Sequence, residues 1–184
     1  KLKGGLMKIY TNKNLSDILE IDKIETVKNK IKHAHGLPNE CYVSDEYLNY
    51  ERNKIFCDNW SVIGTASSIP EVGDVKAYDL LGIPLIILRD QEKNIRVFHN
   101  VCSHRGFKLF DKDCKLKNVI RCPYHSWSYN FKGELVATPH IGGINKHQVE
   151  GFDKNKSNLK EVKSKVWMDL IFININSNAV NFEN

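Results

Sequence analysis

Apolar positions follow two different rhythms along this chain. Between residues 14 and 32, Leu15, Ile18, Leu19, Ile21, Ile24, Val27 and Ile31 fall at the three- to four-residue spacing of one helix face. The pattern predicts an amphipathic helix that stops near Gly36. A linker, HGLPNE, follows. Ser44 is then placed to cap a second helix over about 45–57, with Val43 and Leu48 at hydrophobic-staple positions. From Trp60 the rhythm shortens. The runs WSVIGTA, DVKAYDLLG, IPLIILRD, IRVFHN, NVIRC, SWSYNF, ELVA and VWMDLIFININ are brief and separated by turn residues, which predicts closely spaced antiparallel strands. RDQEKN and NFKGE read as hairpin connections, the second with Gly133 available for a positive φ. No internal repeat or low-complexity tract stands out.

Composition narrows the class. A chain of 184 residues allows one ordinary domain with an appendage, and 41% hydrophobic against 27% charged residues indicates a globular chain. The net charge of +5 comes from scattered lysines, without a nucleic-acid-binding motif, so no nucleic-acid partner is expected. No run of about 18 apolar residues marks a membrane span. The N-terminus lacks a signal pattern, and residues 1–6 are expected to be an expression remnant ahead of a native start at Met7. Five cysteines form no secreted-type framework, so a cytoplasmic location with thiols reduced or metal-bound is expected.

The chemistry concentrates in two short stretches. CPYHSW places Cys122 and His125 three apart, and NVCSHRG places Cys102 and His104 two apart. Each stretch offers one thiol and one imidazole between short strands, and together they make a four-donor metal set. Zinc would accept Cys₂His₂, but zinc knuckles usually pair like ligands. A two-iron cluster with both cysteines on one iron and both histidines on the other needs mixed knuckles, and these are mixed. Cys41, Cys57 and Cys114 have no histidine at such a spacing and read as structural. His33 and His35 are expected to face solvent. His99 is expected to be a satisfied core or edge group, and His140 and His147 have no acidic residue at a useful spacing.

CSHRG together with CPYHSW resembles the N-terminal Rieske [2Fe-2S] domain of Rieske non-haem iron oxygenase alpha subunits, the ring-hydroxylating type. The resemblance extends through YERNKIFCDNWSVIG, GIPLIILRD, IRVFHN, FKGELVATPH and VWMDLIFININ, about residues 37–176. Ser126 stands where the family more often has Gly. In respiratory-complex Rieske proteins each ligand loop carries an added cysteine and a disulfide joins the two; here the corresponding positions are Phe107 and Tyr124.

The resemblance implies a mainly β fold of antiparallel sheets with a small cluster-binding subdomain, preceded by one or two N-terminal helices. It divides the chain into an arm (1–36), a helix leading into the domain (37–60), the Rieske domain (61–176) and the start of a linker (177–184) to a missing catalytic domain. Cys102, His104, Cys122 and His125 would hold a [2Fe-2S] cluster. Gly106 would let backbone amides approach the sulfides, Pro123 would stiffen its loop, and Tyr124 and Trp127 would wall the cluster from water. Arg105 would orient a carboxylate or satisfy a loop carbonyl. The implied function is electron relay from an NAD(P)H-dependent reductase, with or without a ferredoxin, to a mononuclear non-haem iron in an oxygenase whose full-length alpha subunits form a homotrimer. The two-histidine, one-carboxylate motif for that iron is not found in this sequence, which points to a truncated or split chain. A stand-alone Rieske ferredoxin and a structural zinc module are the alternatives.

Overall fold

The computed structural model describes residues 14–183, so the expected remnant at 1–6 lies outside the described residues. The chain divides into two compact units, 1–58 and 59–184.

The described part of the first unit is built of short helical pieces. The helix predicted over 14–32 is broken into a 3₁₀ turn (Leu15–Asp17), α1 (Ile21–Glu25) and a second 3₁₀ turn (Thr26–Lys28). The Asn14 amide donates to Asp17 Oδ2 at 2.9 Å and closes the first turn. Glu20 then leaves helical geometry with ψ at 108°. The Thr26 hydroxyl donates to the Lys23 carbonyl at 2.6 Å, a local bond that competes with helix propagation. Of the seven apolar positions only Leu19 is buried, and Ile31 is 94% exposed. Short helices draw most of their stability from a packed face, and among the described residues this segment fully buries only Leu19 of its apolar positions. Downstream lie α2 (Glu40–Val43) and α3 (Asp45–Glu51), the latter running into a π turn at Arg52–Phe56. Ser44 caps α3 as predicted, its Oγ accepting from the Tyr47 amide at 3.3 Å. The staple positions, Val43 and Leu48, stay exposed.

The second unit is antiparallel β. Its strands are β1 (Ser61–Thr65), β2 (Asp74–Leu80), β3 (Ile83–Arg89), β4 (Ile95–His99), β5 (Cys114–Lys115), β6 (Ile120–Arg121), β7 (Ser128–Tyr129), β8 (Leu135–Ala137), β9 (Glu161–Trp167) and β10 (Leu170–Asn174). Seven pair in the order β1-β10-β9-β4-β3-β2-β5, and β6-β7-β8 form a small separate sheet. β3 explains the unbroken apolar run LIIL. Leu85 and Ile87 face a core with Ile63, Val97, Ile171 and Ile173. Ile86 and Leu88 face the other core, with Phe98, Ile120, Tyr129 and Phe131, beneath the small sheet. A strand buried on both faces shows no alternation.

Both predicted hairpin connections form. At the second, Gly133 has φ +81°, and a Cβ there would come within 2.5 Å of the Phe98 ring. The last apolar run is two strands, not one. β10 folds back on β9 through Met168 and Asp169, both at positive φ. Such a turn usually announces itself with Asn-Gly or Asp-Gly, and Met-Asp carries no such signal. Asp169 instead bonds across the molecule, Oδ1 accepting from the Ser67 amide at 2.8 Å and Oδ2 from its hydroxyl at 2.6 Å.

Candidate metal centre

The two Cys/His stretches lie in loops that share one backbone design. The first connects β4 to β5, with its neck closed by a bridge between Val101 and Lys108. The second connects β6 to β7. In the first, the Cys102 amide donates to the Phe107 carbonyl at 2.8 Å and the Gly106 amide to the Cys102 carbonyl at 3.0 Å. In the second, the Cys122 amide donates to the Trp127 carbonyl at 2.8 Å and the Ser126 amide to the Cys122 carbonyl at 3.0 Å. The fifth residue of each loop is left-handed, Gly106 at φ +67° and Ser126 at φ +60°. That conformation explains the glycine of the first loop. A Cβ on Gly106 would meet no atom of the chain within 4 Å, so within the chain it is φ, and not crowding, that favours glycine there.

A buried asparagine secures the first loop to its strand. Asn100 Oδ1 accepts from the amides of Leu109 and Phe110 at 3.1 and 2.9 Å, and its Nδ2 donates to the Phe110 carbonyl at 2.6 Å. The side chain has zero exposure and three good partners, which removes the cost of burying an amide.

The four candidate donors converge. The rings of His104 and His125 are 4.9 Å apart between centroids, at 69°. Cys102 and Cys122 are both buried, at 2% exposure each. Burial pushes the Cys122 thiol up, the nearby Cys102 thiol adds to this, and the amides of Tyr124 and His125 oppose it. Burial holds His104 below the ordinary imidazole range, assisted by His125 and Arg105. His125 Nδ1 is buried with no hydrogen-bond partner. Among the described residues, no three or more His, Cys, Asp or Glu side chains are grouped as around a single ion.

The neighbouring residues divide. Trp127 is 4% exposed and stacks on His104 at 4.4 Å and 10°. Tyr124 leans over His125 at 3.7 Å but remains 54% exposed, so in this chain it covers one side of the ring without sealing it. Phe107 and Tyr124 meet at 5.3 Å, an aromatic contact between the two loops. Pro123 is exposed on the second loop. Arg105 is exposed beside a groove of about 510 Å³ that His104, Tyr124 and His125 also line. It satisfies no loop carbonyl among the described hydrogen bonds.

Tyr129 and Ser103 were not singled out in the sequence. Tyr129 is fully buried, and its hydroxyl lies 3.2 Å from Cys102 Sγ and 2.9 Å from Ser103 Oγ. Burial raises its pKa strongly, with Cys102 contributing. The available signal was the alternation of Trp127, Tyr129 and Phe131, which all face the core. His99 Nε2 is buried without a partner, contrary to the satisfied group expected. His140 and His147 lie 5.1 Å apart, and each Nδ1 accepts a backbone amide of their own loop.

Comparison with known proteins places these features. Residues 59–148 match the Rieske [2Fe-2S] domain family. The chain is 30% identical over 152 residues to the carnitine monooxygenase oxygenase subunit of Escherichia coli strain K12, covering 83% of this chain and 39% of that protein. It is 28% identical over 163 residues to the biphenyl dioxygenase alpha subunit of Paraburkholderia xenovorans, covering 86% and 36%. Among solved structures, the quaternary ammonium Rieske monooxygenase CntA with L-carnitine superposes with a TM-score of 0.71 at 32% identity, over 79% of this chain and 40% of that one. Naphthalene 1,2-dioxygenase from Rhodococcus sp. superposes with a TM-score of 0.66 at 29% identity, over 75% and 31%. The chain thus spans about two fifths of the length of the relatives it matches.

Proposed function

Because the chain belongs to the Rieske [2Fe-2S] family, in the branch of oxygenase alpha subunits, we propose that residues 61–176 relay electrons within a cytoplasmic oxygenase. Cys102 and Cys122 would hold one iron of a [2Fe-2S] cluster, and His104 and His125 the other. The observation that carries this is the pair of matching loops, each delivering one thiol and one imidazole to the same place, with His125 Nδ1 buried and unpartnered. A buried ring nitrogen with no partner is costly unless something fills its coordination. Two mixed pairs suit a two-iron cluster better than one tetrahedral ion.

When bound, such a cluster supplies one-electron chemistry at about −150 to +300 mV, above the roughly −400 mV of plant-type ferredoxins. The chain's own residues do the rest. Trp127 shields His104 from water on one face. The amides of Tyr124 and His125, which point at Cys122, favour its thiolate form. Arg105 and the exposed groove beside the histidines offer a cation to a carboxylate on a docking surface. The electron source would be an NAD(P)H-dependent reductase, with or without a ferredoxin. The acceptor would be a mononuclear non-haem iron in the part of the oxygenase beyond this chain, within a homotrimer of full-length subunits. Similarity to carnitine monooxygenase makes quaternary ammonium compounds the first substrates to try on the full-length protein.

The test is EPR of anaerobically purified protein after dithionite reduction. A rhombic signal with the low average g of a mixed Cys/His cluster is expected. A colourless, zinc-loaded protein without that signal would overturn the reading.

A further inference from the structure

The Tyr129 hydroxyl sits among more hydrogen-bonding groups than its single proton can serve. The Ser103 amide can only donate, and at 3.2 Å it donates to the tyrosine oxygen. Ser103 Oγ lies against the Ser157 carbonyl, which can only accept, so the one serine hydroxyl proton is committed there. The 2.9 Å contact between Ser103 Oγ and the Tyr129 oxygen must therefore take its proton from the tyrosine. The 3.2 Å contact with Cys102 Sγ has the same requirement once Cys102 holds iron, because a bound thiolate carries no proton. One proton faces two acceptors, a buried one at Cys102 Sγ and one on the exposed Ser103, at a tyrosine oxygen that itself has no exposed surface.

We propose that Ser103 is a positioning residue that competes with Cys102 Sγ for the Tyr129 hydroxyl and thereby holds the cluster's reduction potential below the value Tyr129 alone would set. The inference rests on the Rieske reading of the site. A donor hydrogen bond to a ligand sulfur favours the reduced cluster, because the added electron increases the negative charge the donor faces. While the hydroxyl points at Ser103 Oγ, that stabilisation is withheld. On reduction one electron arrives from the reductase, and the hydroxyl turns toward Cys102 Sγ. No proton leaves Tyr129; only its acceptor changes. The serine is well placed for this role, since its tether to Ser157 fixes Oγ and removes its own proton from the contest.

The test is a redox titration followed by EPR or circular dichroism on wild type, Ser103→Ala, Ser103→Thr, Tyr129→Phe and the Tyr129→Phe/Ser103→Ala double variant. Ser103→Ala is expected to favour reduction by a factor on the order of ten, about 59 mV for a one-electron couple. Tyr129→Phe should move the potential the other way, and Ser103→Thr, which keeps the hydroxyl, should leave it in place. In the Tyr129→Phe background, removing Ser103 should have no further effect. A Ser103→Ala shift of equal size in both backgrounds would mean a merely structural role and would overturn the proposal. So would a lower potential in Ser103→Ala, or a shifted one in Ser103→Thr. Absence of the rhombic signal from wild type would instead overturn the cluster reading on which the proposal stands.

Discussion

Ser126 and Gly106 hold the same left-handed backbone position in two matching loops, and only one of them does so without strain. A non-glycine residue in this region costs roughly 1–2 kcal/mol, against about 0.5–1 kcal/mol for the added unfolded-state entropy of glycine. Ser126→Gly is therefore expected to stabilise the protein by up to about 1 kcal/mol, and Gly106→Ala to destabilise it by about the same amount. The alanine meets no neighbour within 4 Å, so the penalty is conformational. Thermal melts of the two variants beside wild type check the opposite signs. Equal signs would mean that the loops, despite their shared hydrogen bonds, respond to different constraints.

At the scale of elements, the β3–β4 hairpin is organised by a buried carboxylate. Asp90 has zero exposure; its Oδ1 accepts from the amides of Glu92 and Asn94 at 3.0 and 2.8 Å, and its Oδ2 from Arg96 Nε at 2.7 Å. Burial acts to raise its pKa, but the bonds from Arg96 and the two amides prevail, and the carboxyl lies below its usual range. A carboxyl whose folded pKa is depressed contributes stability above its unfolded value of about 3.9, and that contribution is lost as pH falls toward the folded value. Stability measured from pH 6 downward should fall below about pH 4 in wild type. Asp90→Asn should remove that part of the slope and cost about 3 kcal/mol at neutral pH, because Arg96 loses its buried partner. Denaturant unfolding at a series of pH values reads both effects.

The two loops that carry the candidate donors are also joined as elements. Phe107 from the first loop and Tyr124 from the second form an aromatic contact at 5.3 Å. Both rings are roughly half exposed, so the pair is worth less than a covalent link. A double-mutant cycle with Phe107→Ala and Tyr124→Ala should give a coupling of about 0.5–1 kcal/mol. A coupling near zero would mean the loops hold their spacing through their own strands.

For the whole molecule, the two cores should differ in how far they depend on the site. One contains Cys102, Cys122, Trp127 and Tyr129 and sits directly beneath the candidate donors. The other is drawn from β1–β4, β9 and β10, with Ile69 from the β1–β2 connection, and has no residue in either loop. Cys122→Ser is expected to abolish the rhombic EPR signal while leaving the β-type far-UV circular dichroism of the seven-stranded sheet. Loss of both together would show that the sheet does not persist without the site. Among the described residues no helix is long and apolar enough to cross a membrane.

What the sequence determined by itself is what depends on residue type and short spacing. The candidate donor set is of this kind, since a thiol and an imidazole two or three residues apart are legible without a fold. So are the Ser44 cap, the Gly133 hairpin and the strands whose ends are marked by turn residues. Tertiary structure decided the rest. The 14–32 helix depended on whether its apolar face would be covered, and apart from Leu19 it is not buried. The β9–β10 turn is supported by Asp169 bonding to Ser67, 102 residues away, so nothing local announced it. The Tyr129 contact with Cys102 spans 27 residues, and the Phe107–Tyr124 contact joins separate loops. Local sequence sets which groups are available and which backbone angles are cheap. Only packing decides which groups from distant strands meet, because the free energy of that meeting comes from surfaces buried together and not from neighbours along the chain.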